Sequence, residues 1–209
     1  MFLLSKPAFP DGDLTKILTE TFLDVDDAFI KTGKSDGSTV NVCVFSGRGP
    51  GANVTCANAG DSRSVLVRRD GSFVEMSIDH KPNDPGETKR ITDLGGSVVY
   101  WGRWRVQSVL AVSRAVGDAA LMPYITAKPD VISHTVSEDD LCVVTASDGV
   151  FDVMDNAAVA KFVVEQCNVS ENDGKLDDDL LKYVGRKLCV EAGKLMSGDN
   201  VTAVVTSLQ

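Results

Sequence analysis

No run of apolar residues in this 209-residue sequence approaches the roughly 20 that a membrane-crossing helix requires. The opening Met1-Phe2-Leu3-Leu4 is broken at once by Ser5, Lys6 and Pro7, too early for the apolar stretch of a signal peptide. The expectation is a soluble protein of the cytoplasm, with the nucleus also open to it. Basic residues are scarce relative to acidic ones: 21 Lys and Arg stand against 30 Asp and Glu, a formal net charge of −9. Such a chain repels a phosphate backbone and anionic headgroups, which argues against nucleic acid and membrane surfaces as partners, whereas divalent cations suit it. The five cysteines (Cys43, Cys56, Cys142, Cys167, Cys189) form no C-x-x-C pair. Neither a disulfide framework nor a zinc site is indicated, and a reducing compartment fits. There is no internal repeat, no clear linker and no signal for an oligomeric state.

An apolar fraction of 43% over this length supports one domain with a sizeable core. Leu14, Leu18, Phe22, Val25 and Phe29 recur at helical spacing, with Asp13 as N-cap and Gly33 as stop. Residues 39–45, 53–59, 64–68 and 73–76 are rich in β-branched and apolar residues, and the last two flank the hairpin dipeptide Asp70-Gly71. A short helix is expected over 87–94, an extended stretch over 98–112 interrupted near Gly102, and a buried strand over 141–146. Helices over 157–167 and 180–195, separated by the polar stretch 170–179, precede a last strand over 201–208. Runs of strands with helices between them predict an α+β layered domain.

Three segments place an aspartate beside small residues at a strand end: Gly60-Asp61-Ser62, Ser147-Asp148-Gly149 and Gly198-Asp199-Asn200. Hard cations such as Mg²⁺ and Mn²⁺ take a few carboxylate oxygens and fill the rest with water. Each aspartate alone reads more readily as an ordinary turn former, and sequence spacing does not say whether the three meet. Asp24, Asp26 and Asp27 read as the solvated face of the first helix.

Read with their flanks, the segments resemble the PPM (type 2C) family of metal-dependent protein phosphatases. The resemblance runs through Asp36-Gly37-Ser38-Thr39, Ala57-Asn58-Ala59-Gly60-Asp61-Ser62-Arg63, Asp79-His80-Lys81-Pro82 with Glu87 and Arg90, and Ser113-Arg114-Ala115-Val116-Gly117-Asp118. It continues through Pro129-Asp130-Val131, Ala146-Ser147-Asp148-Gly149-Val150-Phe151-Asp152 and Asp199-Asn200-Val201-Thr202. The resemblance implies a sandwich of two antiparallel β-sheets flanked by helices. It implies hydrolysis of phosphoserine and phosphothreonine in phosphorylated protein substrates by a water activated by Mg²⁺ or Mn²⁺. It assigns Asp148 and Asp199 to a first metal, and Asp61, Asp148 and Asp152 to a weaker further one. Arg114 and Asp118 receive no chemical role; an Arg–carboxylate pair joining two loops is an equal reading, and His80 reads as bridging a turn.

The family's opening Arg, its Glu-Asp pair and its Asp-Gly-His-Gly-Gly turn do not occur here. The resemblance then implies that one metal site has no recognisable ligand and the other has lost one of three. It also implies a sandwich that lacks N-terminal strands and so leaves sheet edges unpaired. The expected organisation is an N-terminal segment, residues 1–34, with its amphipathic helix in the same domain as an N-terminally incomplete phosphatase-type region, residues 35–209. The expectation is a longer parent protein; the alternative is a shortened, catalytically inactive relative acting as a binding or regulatory module.

Overall fold

The computed structural model describes residues 13–167 and 176–209; the Met1-Phe2-Leu3-Leu4 run and the first part of the polar stretch 170–179 lie outside them. Helix α1 (Leu14–Ile30) starts where the Asp13 carboxylate accepts from the Thr15 and Lys16 amides at 3.0 and 3.4 Å, satisfying donors that the helix cannot. Short β1 (Gly37–Ser38) follows, then β2 (Val40–Ser46), β3 (Asn53–Ala59), β4 (Arg63–Arg68) and β5 (Phe73–Glu75). Next come α2 (Pro85–Asp93), a hairpin of β6 (Val98–Trp101) and β7 (Arg103–Val106), and β8 (Val116–Gly117). The chain ends with β9 (Asp130–Thr135), β10 (Asp140–Ala146), α3 (Asp148–Phe151), α4 (Asn156–Cys167), α5 (Asp178–Lys194) and β11 (Ala203–Ser207).

Two antiparallel sheets form the sandwich, in the orders β11-β10-β4-β5 and β2-β3-β9. Val54, Cys56, Leu66, Met76 and Val143 pack between them. The outer face of the four-stranded sheet buries Val65, Val67 and Val144 under Val159, Val163, Val184 and Leu188 of α4 and α5. On the opposite side Leu18 and Phe22 of α1 lie on Ala57 and Ala59. The layers therefore run helices, sheet, sheet, helix, as the resemblance implied. Strand β10 is buried along nearly its whole length, which its uninterrupted apolar run requires.

Some expectations needed adjustment. The stretch 98–112 breaks at Gly102 as expected, into the β6–β7 hairpin, but is not extended to its end: after Val106 the chain turns through Gln107 and Ser108, both at positive φ, and Leu110 bridges back to Val106. Helix α2 begins two residues earlier than expected, because Asp84 caps it and Pro85 suits a first helical turn, where its missing N–H costs nothing. Strand β9 and the short pair β1–β8 have no clear alternation and are made by tertiary pairing. Among the described residues β2 and β11 are each paired on one side only.

Because Asp13 supplies a side-chain cap to a helix held by few buried residues, Asp13→Ala should lower stability by about 1 kcal/mol. Thermal denaturation followed by circular dichroism should show a fall of roughly 2–4 °C; an unchanged midpoint would mean that the cap contributes nothing.

Candidate functional site

Strand register brings the three aspartate segments to one end of the sandwich. Val40 pairs with Ala59, Arg63 with Ala146, and Ala146 with Ala203, so residues 37–39, 60–62, 147–149 and 198–200 all leave the sheets on the same side. There Asp61, Asp148, Asp152 and Asp199 line one cleft of about 840 Å³, shared with Asp118, Lys81, Arg103 and the ring of Tyr100. The four residues singled out from the sequence are thus neighbours.

Two stitches hold this end together. In the first, Arg63 grips Asp79 through two hydrogen bonds of 2.8 and 2.7 Å, donates to Asn156 Oδ1 at 2.8 Å and lies 4.5 Å from the centre of the Phe151 ring. His80, buried, accepts the Gly60 N–H on Nδ1 at 3.1 Å while its backbone N–H donates to the Gly60 carbonyl. Its Nε2 faces Asp130 at 3.1 Å, so the Nε2–H tautomer satisfies both contacts. His80 is a structural bridge. In the second stitch, the Ser147 N–H donates to the Thr202 carbonyl at 3.0 Å, its hydroxyl donates to the Asn200 carbonyl, and the Ser197 hydroxyl donates to the Gly149 carbonyl at 2.6 Å. The backbones approach so closely that a Cβ on Gly149 would stand 2.3 Å from the Asn200 oxygen, which explains a glycine directly after Asp148.

Electrostatics divide the carboxylates. Asp148 is pushed up from the ordinary range by burial and then by the facing Asp61, Asp199 and Asp152. Asp61 is ion-paired to Lys81, whose ammonium also lies 4.0 Å from Asp152. Asp152 meets Arg103 of the β6–β7 hairpin at 3.3 Å. Asp118 is pushed up by burial and by Asp36. An all-carboxylate donor set suits a hard divalent cation in kind. In number it falls short: among the described residues, no group of three or more His, Cys, Asp and Glu side chains is disposed to hold a metal ion.

Sequence reasoning missed Lys81 and Arg103, because a single basic residue in a loop or hairpin carries no signature of the carboxylate it will face. It also read Asp26 as solvated, whereas its carboxylate accepts the Gly117 N–H at 2.7 Å and anchors the loop that carries Asp118. A lone acidic residue on a helix cannot show that a distant loop will return to it. Arg114, left without a role, bonds Glu87 at 2.8 Å, Asp130 at 2.9 Å and the Lys128 carbonyl at 3.0 Å, joining α2 to the start of β9.

Solved structures with this architecture include phosphatases. A crystal structure of a phosphatase from Toxoplasma gondii superposes with a TM-score of 0.76 at 25% identity, covering 95% of this chain and 76% of that one. A C. elegans sex determining protein shares the fold at a TM-score of 0.79 and 24% identity, over 96% of this chain and 48% of that one. The chain belongs to the protein phosphatase 2C family, whose family model matches residues 1–200. Relatives include the Oryza sativa subsp. japonica protein named "Probable protein phosphatase 2C member 13, mitochondrial", 37% identical over 97% of this chain and 52% of its own length. Another is Arabidopsis thaliana "Protein phosphatase 2C 3", 36% identical over 83% of this chain and 46% of its own. The chain spans about half the length of the curated relatives it matches. No helix among the described residues is long and apolar enough to cross a membrane.

The ionic lattice beneath the cleft predicts acid sensitivity. Burial pushes Glu87 up, but hydrogen bonds from Arg114 and Arg90 outweigh it and hold the group at about 2. Asp130 is held well below the usual range by His80 first and Arg114 next, against its burial. A depressed carboxylate stabilises fully above its unfolded value, about 4.3 for Glu, and loses that contribution as pH falls through the folded value. The urea midpoint should be flat from neutrality to about pH 5 and fall between roughly pH 4.5 and 2. In Glu87→Gln that fall should be shallower; an equal slope would show that Glu87 plays no part in it.

Proposed function

We propose that the cleft belongs to a protein serine/threonine phosphatase dependent on Mg²⁺ or Mn²⁺, acting on phosphorylated proteins, and that this chain furnishes part of its catalytic machinery. The observation that carries the reading is the convergence of Asp61, Asp148, Asp152 and Asp199 in one cleft of a chain that belongs to the protein phosphatase 2C family. By the resemblance Asp148 and Asp199 would hold a first cation; Asp61, Asp148 and Asp152 would hold a weaker further one only once Lys81 and Arg103 release Asp61 and Asp152. A bound divalent cation supplies the charge that acidifies water and neutralises phosphoryl oxygens. The chain's own contribution is positional: Gly149 and the Ser147–Asn200 contact fix Asp148 beside Asp199, and the Arg63 grip fixes Asp61 opposite them.

A second reading, a catalytically inactive binding or regulatory module, is favoured by one observation. Lys81 and Arg103 already neutralise Asp61 and Asp152, and no complete ligand set is present among the described residues.

Metal titration and turnover assays test these readings. Calorimetry with Mn²⁺ should find at most one weak site in the 209-residue chain, because a partial carboxylate set cannot complete two octahedral shells. Lys81→Gln should tighten that site by up to roughly fivefold, since a partly exposed ion pair that competes for Asp61 is worth at most about 1 kcal/mol. Two tight sites in the unaltered chain would show that other residues complete the set.

The 209-residue chain alone should turn over neither a phosphothreonine peptide nor an aryl phosphate, because an enzyme must lower the barrier to phosphate-monoester hydrolysis by an amount toward the upper end of roughly 8–23 kcal/mol and beyond. An N-terminally extended form carrying the family's Arg, Glu-Asp and Asp-Gly-His-Gly-Gly motifs should be active with Mn²⁺ or Mg²⁺ and inhibited by chelators. In that form Asp148→Asn and Asp199→Asn should each reduce turnover to the uncatalysed level with circular dichroism unchanged. Near-normal turnover of both at saturating Mn²⁺ would sink the ligand assignment, and an inert extended form would favour the binding module.

A further inference from the structure

Cys43 and Cys56 stand directly opposite one another in the antiparallel register of β2 and β3. Residues so paired have Cα atoms about 4.5 or 5.5 Å apart, whichever kind of pair they form, and both separations lie inside the range of roughly 4.4–6.8 Å that a disulfide spans. Both side chains point into the layer between the sheets, where Cys56 is fully buried and Cys43 packs beside it. Cys43 lies 3.3 Å from the Ser64 hydroxyl and 3.8 Å from that of Thr145, and the Cys56 thiol reaches Asn41 Oδ1 at 3.4 Å. Strand β2 is paired on one side only among the described residues, and Cys43 is only partly buried, so a small oxidant has a route along that edge.

We propose that Cys43 and Cys56 are a reversible oxidation site, which a peroxide converts into a cross-strand disulfide between β2 and β3. The Cys43 thiolate attacks one peroxide oxygen, the O–O bond breaks, and a sulfenic acid forms as the first water leaves. The Cys56 sulfur then displaces the hydroxyl group, the S–S bond forms, and its proton departs with the second water. Two thiols are oxidised by two electrons in all, and one peroxide is reduced to two waters.

The chemistry favours Cys43 as the attacking group. Its thiol is lowered, first by the neighbouring Cys56 thiol and further by Ser64 and Thr145, against the effect of burial. Cys56 is pushed up by the neighbouring Cys43 and by burial, so it waits protonated as the resolving partner. Burial pushes Cys142 up and holds Cys167 at about 11, which leaves those two slow to react. The bond would clamp the strand that leads out of the cleft through Thr39, whose hydroxyl is 2.9 Å from that of Ser62 beside Asp61.

The test is peroxide treatment of the folded chain followed by peptide mapping without reductant. The expected product is a Cys43–Cys56 linked peptide pair, lighter by two hydrogens than the separate peptides, that reverts with dithiothreitol. In Cys56→Ser a sulfenic acid should accumulate on Cys43 and be trapped by dimedone; in Cys43→Ser, Cys56 should stay unmodified. The unaltered chain is the decisive sample, so the proposal stays testable even where a serine variant folds poorly. Absence of the linked pair in the folded chain overturns the proposal, as does oxidation of Cys43 onward to sulfinic acid, or reaction at Cys189 first. The disulfide follows from strand register and thiol chemistry, so its failure would leave the phosphatase reading untouched.

Discussion

Arg63 lies along the Asp79 carboxylate with its guanidinium doubly bonded, a third N–H on Asn156 and the Phe151 ring beneath it. Both members of the pair are mostly shielded from solvent, with side-chain exposures of 22% and 13%. Removing either would leave a poorly hydrated charge, which costs far more than losing a surface ion pair. Much depends on this grip. It ties the start of β4 to the segment after β5 and to the first residue of α4, and so sets where the Gly60–Asp61–Ser62 turn sits. Lys81 lies two residues beyond Asp79 and reaches back to Asp61, so the charge pattern of the cleft follows from the same contact.

A second ionic lattice supports the cleft from below. His80 links Gly60 to Asp130, Asp130 and Glu87 share Arg114, and Arg90 joins Glu87 to the Ser113 and Tyr124 carbonyls. These groups are satisfied by one another and line no catalytic surface. Their role is to fix loops that carry other residues, which is why a charged residue in a family motif is not by that fact a chemical participant. In the cleft itself the balance is less settled. Asp148 feels three other carboxylates, and Lys81 offsets them only in part. A bound cation is the most direct remedy for such crowding, and the tethered cations Lys81 and Arg103 supply part of it without a metal.

The fold was readable where period and punctuation agreed. Asp13, the apolar spacing of Leu14, Leu18 and Phe22, the Asp70-Gly71 hairpin and the apolar run of β10 each signal one local structure with one physical cause. Strand β9 was not readable, because Asp130-Val131-Ile132-Ser133-His134-Thr135 does not alternate cleanly and becomes a strand through pairing with β3. The candidate aspartates were legible through the order of their flanks; their convergence was not, since it depends on the register of four strands. Lys81, Arg103 and Asp26 were invisible as partners for the same reason: each finds its counterpart only after long-range contacts have formed.

The unpaired sides of β2 and β11 bear on how such a chain stays folded. Neither edge strand carries a charged residue or a proline, the devices that usually blunt an exposed edge. Strand β11 is held from outside by α5, where Gly185 lets the helix approach the Ala203 carbonyl, and from within by five register pairs to β10. Strand β2 has α1 over Val40 and Val44, and its inner face joins the other sheet through Asn41, Cys43, Ser64 and Thr145. That inner contact mixes these polar groups with Cys43 and Phe45, which pack against the apolar intersheet layer. Its attachment combines the antiparallel register to β3, running from Val40–Ala59 to Ser46–Asn53, with hydrogen bonds between small side chains. A covalent link from Cys43 to Cys56 would fasten this edge strand further to the strand that leads into Asp61.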